Sequence, residues 1–138
     1  MLRHTALLAA FVSALAPAAA AADPCGAALA GTRRTVEDSR YTIAYVTAPD
    51  PVVVGAHFVV DFVVCPRGGA PAAQSVRIDA AMPEHGHGMN YRPGVTTTAP
   101  GVYRAEGMLF HMPGRWDLAF DVVAGSRTDR LTGTLRVE

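Results

Sequence analysis

The residues of this chain best suited to chemistry lie in one short stretch, 82–89. Its ligand-type side chains are Met82, His85, His87 and Met89, and glycines follow both histidines. Thioether sulfur and imidazole nitrogen together suit copper, above all Cu(I), better than zinc, calcium or magnesium. The stretch therefore predicts a copper site, which other parts of the fold would have to complete.

A second histidine–methionine pair, His111 and Met112, precedes the turn Pro113-Gly114. On a regular strand these two side chains would point to opposite faces. Polar and apolar residues exchange places along 102–112, and Gly107 is the natural position for a bulge that switches the faces. After that switch Met112 points inward and His111 outward, so we prefer Met112 as the additional ligand.

Each candidate ligand in 82–89 also has a purely structural interpretation. Met82 alternates in phase with apolar residues and could fill a gap in the core. His85 and His87 could be solvated loop histidines. Met89 favours metal binding, because an exposed loop rarely needs a long apolar side chain beside glycine.

The elements that must position these residues are predicted to be strands. Apolar alternation marks seven short segments: 40–47, 52–54, 56–64, 74–82, 102–110, 115–123 and 128–137. Turns rich in proline and glycine separate them, and no segment combines a helical period with caps. We expect an all-β, immunoglobulin-like antiparallel β-sandwich of about seven strands. One inward row of this sandwich would consist of Trp116, Leu118, Phe120 and Val122.

The first 22 residues have the pattern of a signal peptide. A polar start is followed by the apolar run 6–16, and Ala20-Ala21-Ala22 fits the small-x-small cleavage rule. The apolar run is shorter than the ~20 residues that a membrane span needs. We therefore expect a mature chain that begins at Asp23, is periplasmic or secreted, and has no membrane span after signal cleavage.

Two cysteines, Cys25 and Cys65, remain in the mature chain. In an oxidising compartment two cysteines of a small domain usually pair, so we expect a disulfide. A thiolate copper ligand is the alternative, and it is less favoured because both cysteines lie far in sequence from the histidines. We expect residues 23–39 to form an irregular N-terminal lead-in and residues 40–138 to form the sandwich.

Composition and motifs argue against several functional classes. The formal net charge is zero and there is no basic stripe, which makes nucleic acid a poor partner. There is no serine nucleophile elbow and no HExxH helix. The expected mature terminus is aspartate, which disfavours an oxygenase with an N-terminal histidine brace. We therefore expect a binding protein and not an enzyme.

The string 82–89, read as Met-Pro-x-His-Gly-His-Gly-Met, combines with Gly101-x-Tyr103 and with the string 110–118, Phe-His-Met-Pro-Gly-Arg-Trp-Asp-Leu. Together they resemble the YtkA-like family of small exported domains, which is related to FixH-like domains. The resemblance covers residues 41–137. It implies an immunoglobulin-like β-sandwich, periplasmic or secreted placement and a role in copper handling.

The leading hypothesis is therefore an exported domain that buffers or transfers Cu(I). Its partners would be the copper ion and an envelope protein that gives or receives copper. The alternative is an immunoglobulin-like interaction module of the cell envelope that binds no metal. In that case Met89 and Tyr91 would anchor a protein contact.

Overall fold

The computed structural model describes residues 24–138, and within them every regular element is a β-strand. This part of the chain contains nine strands: β1 (Arg34–Glu37), β2 (Tyr41–Ala48), β3 (His57–Pro66), β4 (Ser75–Met82), β5 (His87–Gly88), β6 (Gly94–Ala99), β7 (Val102–Leu109), β8 (Gly114–Ala124) and β9 (Arg127–Val137). They form a five-stranded sheet in the order β1-β2-β3-β7-β6 and a four-stranded sheet in the order β5-β4-β8-β9. All pairings are antiparallel. The expected all-β antiparallel sandwich is confirmed, while the predicted signal peptide, 1–22, lies outside the described residues.

Both sheets turn one apolar face inward, and aromatic rings join the two faces. The inward row expected for β8 is fully buried: Trp116, Leu118, Phe120 and Val122. Phe120 contacts Phe62 of β3 and Tyr45 of β2, with ring centroids 5.3 Å apart in both pairs. Because these contacts cross between the sheets, they fix how the strand ends of one sheet meet those of the other. No helix that could cross a membrane occurs among residues 24–138.

The structure corrects the sequence prediction at the sheet edges. Strands β1 and β6 were not expected, and neither was the two-residue β5. Edge strands need only partial burial and carry polar residues, so their apolar alternation is weak; β6 is mostly exposed. Residues 52–54 were predicted as a strand but form none. Val52 is nevertheless buried against the core, and this burial from a loop explains the misleading apolar run.

The predicted face switch in β7 is confirmed at Gly107. The register against β3 shifts there, since Phe58 pairs with Met108 whereas Val60 pairs with Ala105. Gly107 has a φ of +83°, a conformation that side chains with a Cβ rarely adopt. The bulge turns Met108 into the core, where it is fully buried.

The expected disulfide between Cys25 and Cys65 is also confirmed. It ties the segment 24–33 to the end of β3. This segment runs over the outer face of the five-stranded sheet, where it leaves no room for a Cβ on Gly26 beside Ala44. Residues 23–39 are thus not wholly irregular, since β1 lies within them and pairs with β2. The bonded sulfurs carry no thiolate, which removes the alternative of a copper thiolate in this oxidised form.

Candidate metal centre

The candidate ligands gather at one end of the sandwich because of strand direction. Strands β4 and β7 end there, and β8 begins there. The β4–β5 turn and the connection from β7 to β8 therefore face each other across the two sheets. Three imidazoles lie beside one another at this end: His85, His87 and His111. We refer to them as the histidine row.

The β4–β5 hairpin positions the first two histidines. Met82 pairs with His87 across the hairpin. The Met82 carbonyl accepts hydrogen bonds from the backbone N–H of His85 at 3.2 Å and of Gly86 at 3.0 Å. Gly86 has a φ of +66°, and a Cβ on Gly88 would lie 3.2 Å from the Ala80 carbonyl oxygen. Gly86 and Gly88, which follow the two histidines, are therefore requirements of a tight turn.

Strand pairing also decides where His87 points. Directly opposed residues of an antiparallel pair project to the same face. Since Met82 is fully buried, His87 projects toward the interior as well and is half-buried. Its ring centroid lies 5.8 Å from that of His85 and 5.1 Å from that of His111.

His111 reaches this position from outside a regular strand. The alternation in the sequence placed it outward, but β7 ends at Leu109 and the alternation ends with it. Its ring instead contacts Trp116 at a centroid distance of 5.4 Å, edge to face. Sequence reasoning therefore assigned His111 the wrong orientation.

The ring of Trp116 packs against His87 and His111 of the histidine row, a role that sequence reasoning missed. Its ring stacks on Phe110 with centroids 4.4 Å apart and an angle of 7° between the planes. Its indole N–H donates to the Met112 carbonyl at 3.0 Å, and its centroid lies 6.2 Å from that of His87. By holding the chain on both sides of His111, Trp116 fixes that imidazole. The available signal was the nearness of Trp116 to the second histidine–methionine pair.

Two nitrogen atoms of the row lack an ordinary partner. Nδ1 of His87 and Nδ1 of His111 are both buried without a hydrogen bond to any group in the described part of the chain. Buried polar atoms are normally bonded, so such atoms call for an explanation. A neutral imidazole nitrogen is the commonest protein ligand for metals. When two imidazoles bind one ion with metal–nitrogen distances of about 2.0 Å, their ring centroids lie roughly 5–6 Å apart. Both neighbouring pairs in the row have centroid separations in this range.

The methionines take different positions. Met82 is fully buried, and its Cε lies 2.8 Å from where a Cβ on Gly114 would be. Met89 and Met112 are half-buried and pack against the core. Met89 also borders a groove of about 590 Å³ along β4 that Ile78 and Tyr91 help to line. Across residues 24–138, no set of three or more histidine, cysteine or acidic side chains is arranged to hold a metal ion.

The most buried charge of the described chain lies at the opposite end. Asp129 accepts hydrogen bonds from Arg40 at 3.1 Å and from Arg127 at 2.7 Å. Burial raises the pKa of Asp129, but the hydrogen bonds and charges of the two arginines outweigh it and hold that pKa below its ordinary 3.8. This cluster joins the beginnings of β2 and β9 and takes no part in the histidine row.

The fold and the row define a small β-sandwich domain with imidazoles gathered at one end. The chain belongs to the YtkA-like family, since the model of that family matches residues 35–121. The matched range contains the whole histidine row and Trp116. Comparison with curated proteins and with solved structures found no match.

Proposed function

We propose that this protein is an exported domain that binds copper, with Cu(I) favoured, and that it buffers the ion or transfers it. One observation carries the proposal: His87 and His111 come from separate segments, and each has a buried Nδ1 atom without a hydrogen bond in the described structure. Their rings lie 5.1 Å apart. A shared ion would give both nitrogen atoms the partner that they lack.

The ligand chemistry supports copper in particular. His87 and His111 would supply the first two nitrogen donors, and His85 lies beside them. The thioethers of Met82, Met89 and Met112 are the candidates for completing the shell around Cu(I), which accepts soft sulfur ligands. Thioethers bind without losing a proton, whereas the imidazoles must be neutral.

The same proposal includes a cellular location. The disulfide is typical of an oxidising compartment, which supports periplasmic or secreted placement together with the signal-peptide pattern. We propose a binding protein and not an enzyme, with an envelope protein that gives or receives the ion as its partner.

The test is an anaerobic Cu(I) titration of the mature protein against a competing chelator. We expect the His87→Ala and His111→Ala variants to lose at least about tenfold in affinity, the lower end of what changes around a metal site cost. His57→Ala is the matched control, because this exposed histidine contacts Tyr91 and is not in the row. If all four proteins compete equally weakly for Cu(I), the copper proposal fails.

A second candidate is a metal-free interaction module. The large hydrophobic residues exposed within residues 24–138 are Val53, at 53%, and Tyr91, at 50%. Tyr91 lies near the same end of the sandwich, with its ring 5.7 Å from that of His57. A partner captured equally well with and without a copper chelator, and lost in Tyr91→Ala, would favour this function.

A further inference from the structure

We infer that His85 is the ligand through which a metal ion reaches and leaves the histidine pair, and that His87 and His111 hold the ion at rest. This inference rests on the proposed copper binding. It assigns different tasks to three histidines that have the same chemistry. The assignment follows from their order and burial in the row.

The three rings run from solvent to the interior. His85 is exposed, whereas His87 and His111 are half-buried and present the buried Nδ1 atoms. An ion arriving from water, or from a second protein, meets the exposed imidazole first. The inner pair offers the nitrogen atoms that gain most from a bound ion, because in the described structure nothing else satisfies them.

His87 links the outer position to the inner one. Its centroid lies 5.8 Å from that of His85 and 5.1 Å from that of His111. Both separations suit two imidazoles that share one ion with bonds of about 2.0 Å. An ion held between His85 and His87 can therefore move to the inner pair. In this exchange one nitrogen of His87 stays bound to the ion, while the second ligand changes from His85 to His111. At no point in this exchange is the ion without a nitrogen ligand.

The turn that carries His85 suits such an intermediate role. Residues 83–86 are all exposed, and Gly86 allows the turn through its positive φ. His87 is by contrast fixed by strand pairing, and His111 lies beside the anchored Trp116. The exposed tip of the hairpin is also the part that a copper-donating or copper-accepting partner could reach.

A ligand that contacts the ion only in transit has a distinct kinetic signature. Its removal raises the barrier for uptake and for release by the same amount. Both rate constants then fall by the same factor, and the dissociation constant does not change. Removal of a resting ligand instead speeds release and weakens affinity.

The experiment uses stopped-flow mixing of Cu(I) with the mature protein, and of the loaded protein with excess competing chelator. Trp116 is the only tryptophan and contacts two rings of the row, so its fluorescence is the readout. We expect His85→Ala to slow uptake and release about tenfold each, which corresponds to about 1.4 kcal/mol in the barrier. The ratio of the two rate constants should not change. His57→Ala is the matched control and should leave both rates unchanged.

The possible results separate the two proposals. If His85→Ala weakens affinity and speeds release, His85 is a resting ligand and the inference is wrong. Unchanged rates in His85→Ala, with normal binding by the wild type, also overturn the inference but leave copper binding standing. A wild-type protein that takes up no Cu(I) overturns the proposed function and the inference with it.

Discussion

Replacing His87 with leucine should stabilise the metal-free protein while abolishing the stabilisation that copper gives. The buried Nδ1 of His87 has no hydrogen bond within the described structure, and an unsatisfied buried polar atom costs about 1–3 kcal/mol. The ring is only half-buried, so we take the lower end. His87→Leu should therefore raise the free energy of unfolding by about 1 kcal/mol, or Tm by about 4 °C for a domain of this size.

Copper should reverse the order of stability. At a free ion concentration of 100 times its dissociation constant, the wild type gains about 2.7 kcal/mol. The His87→Leu variant lacks a resting ligand and should gain almost nothing. The wild type then becomes the more stable protein by roughly 2 kcal/mol, the difference between the two effects.

The assay is urea unfolding followed by the fluorescence of Trp116, which is fully buried, first with a chelator and then with Cu(I). His57→Leu is the control for a histidine that is exposed and outside the row. A His87→Leu variant that is less stable than the wild type without metal would refute the reasoning. In that case the Nδ1 atom would already be satisfied, for instance by water.

Three further predictions concern the parts that support the row. Replacing Cys25 and Cys65 with serine opens a loop that spans 40 residues and should cost about 4 kcal/mol, but Cu(I) titration should give an unchanged affinity. Gly86→Ala and Gly69→Ala each force a Cβ into positive φ and should each cost about 1–2 kcal/mol in urea unfolding, yet only Gly86→Ala should weaken copper binding. The pKa of Asp129 is held below 3.8. The contribution of Asp129 to stability is therefore complete at neutral pH and is lost as the pH falls below about 4. In urea unfolding from pH 6 to pH 3, the free energy of unfolding should decline less steeply for Asp129→Asn than for the wild type. Equal acid sensitivity of that variant and the wild type would contradict this.

Much of the fold was predictable because the side-chain period of a strand is local. The alternation in β3, β4 and β8 depends only on neighbouring residues and one buried face. The bulge at Gly107 was predictable for the same reason, since polar and apolar residues change phase at a glycine. The edge strands β1 and β6 were not, because their residues face solvent and no longer show an apolar period.

The sequence by itself determined the ligand types of the candidate site, the glycines of its turn, the two cysteines and the inward row that contains Trp116. Only the tertiary structure decided which of the candidate ligands meet. His87 and His111 are far apart in the chain. The 5.1 Å separation of their ring centroids depends on how the ends of β4, β7 and β8 come together. Alternation also no longer predicts where a side chain points once a strand has ended, and β7 ends before His111. The packing of Trp116 against Phe110 then determines where that imidazole lies, and no local pattern contains this information.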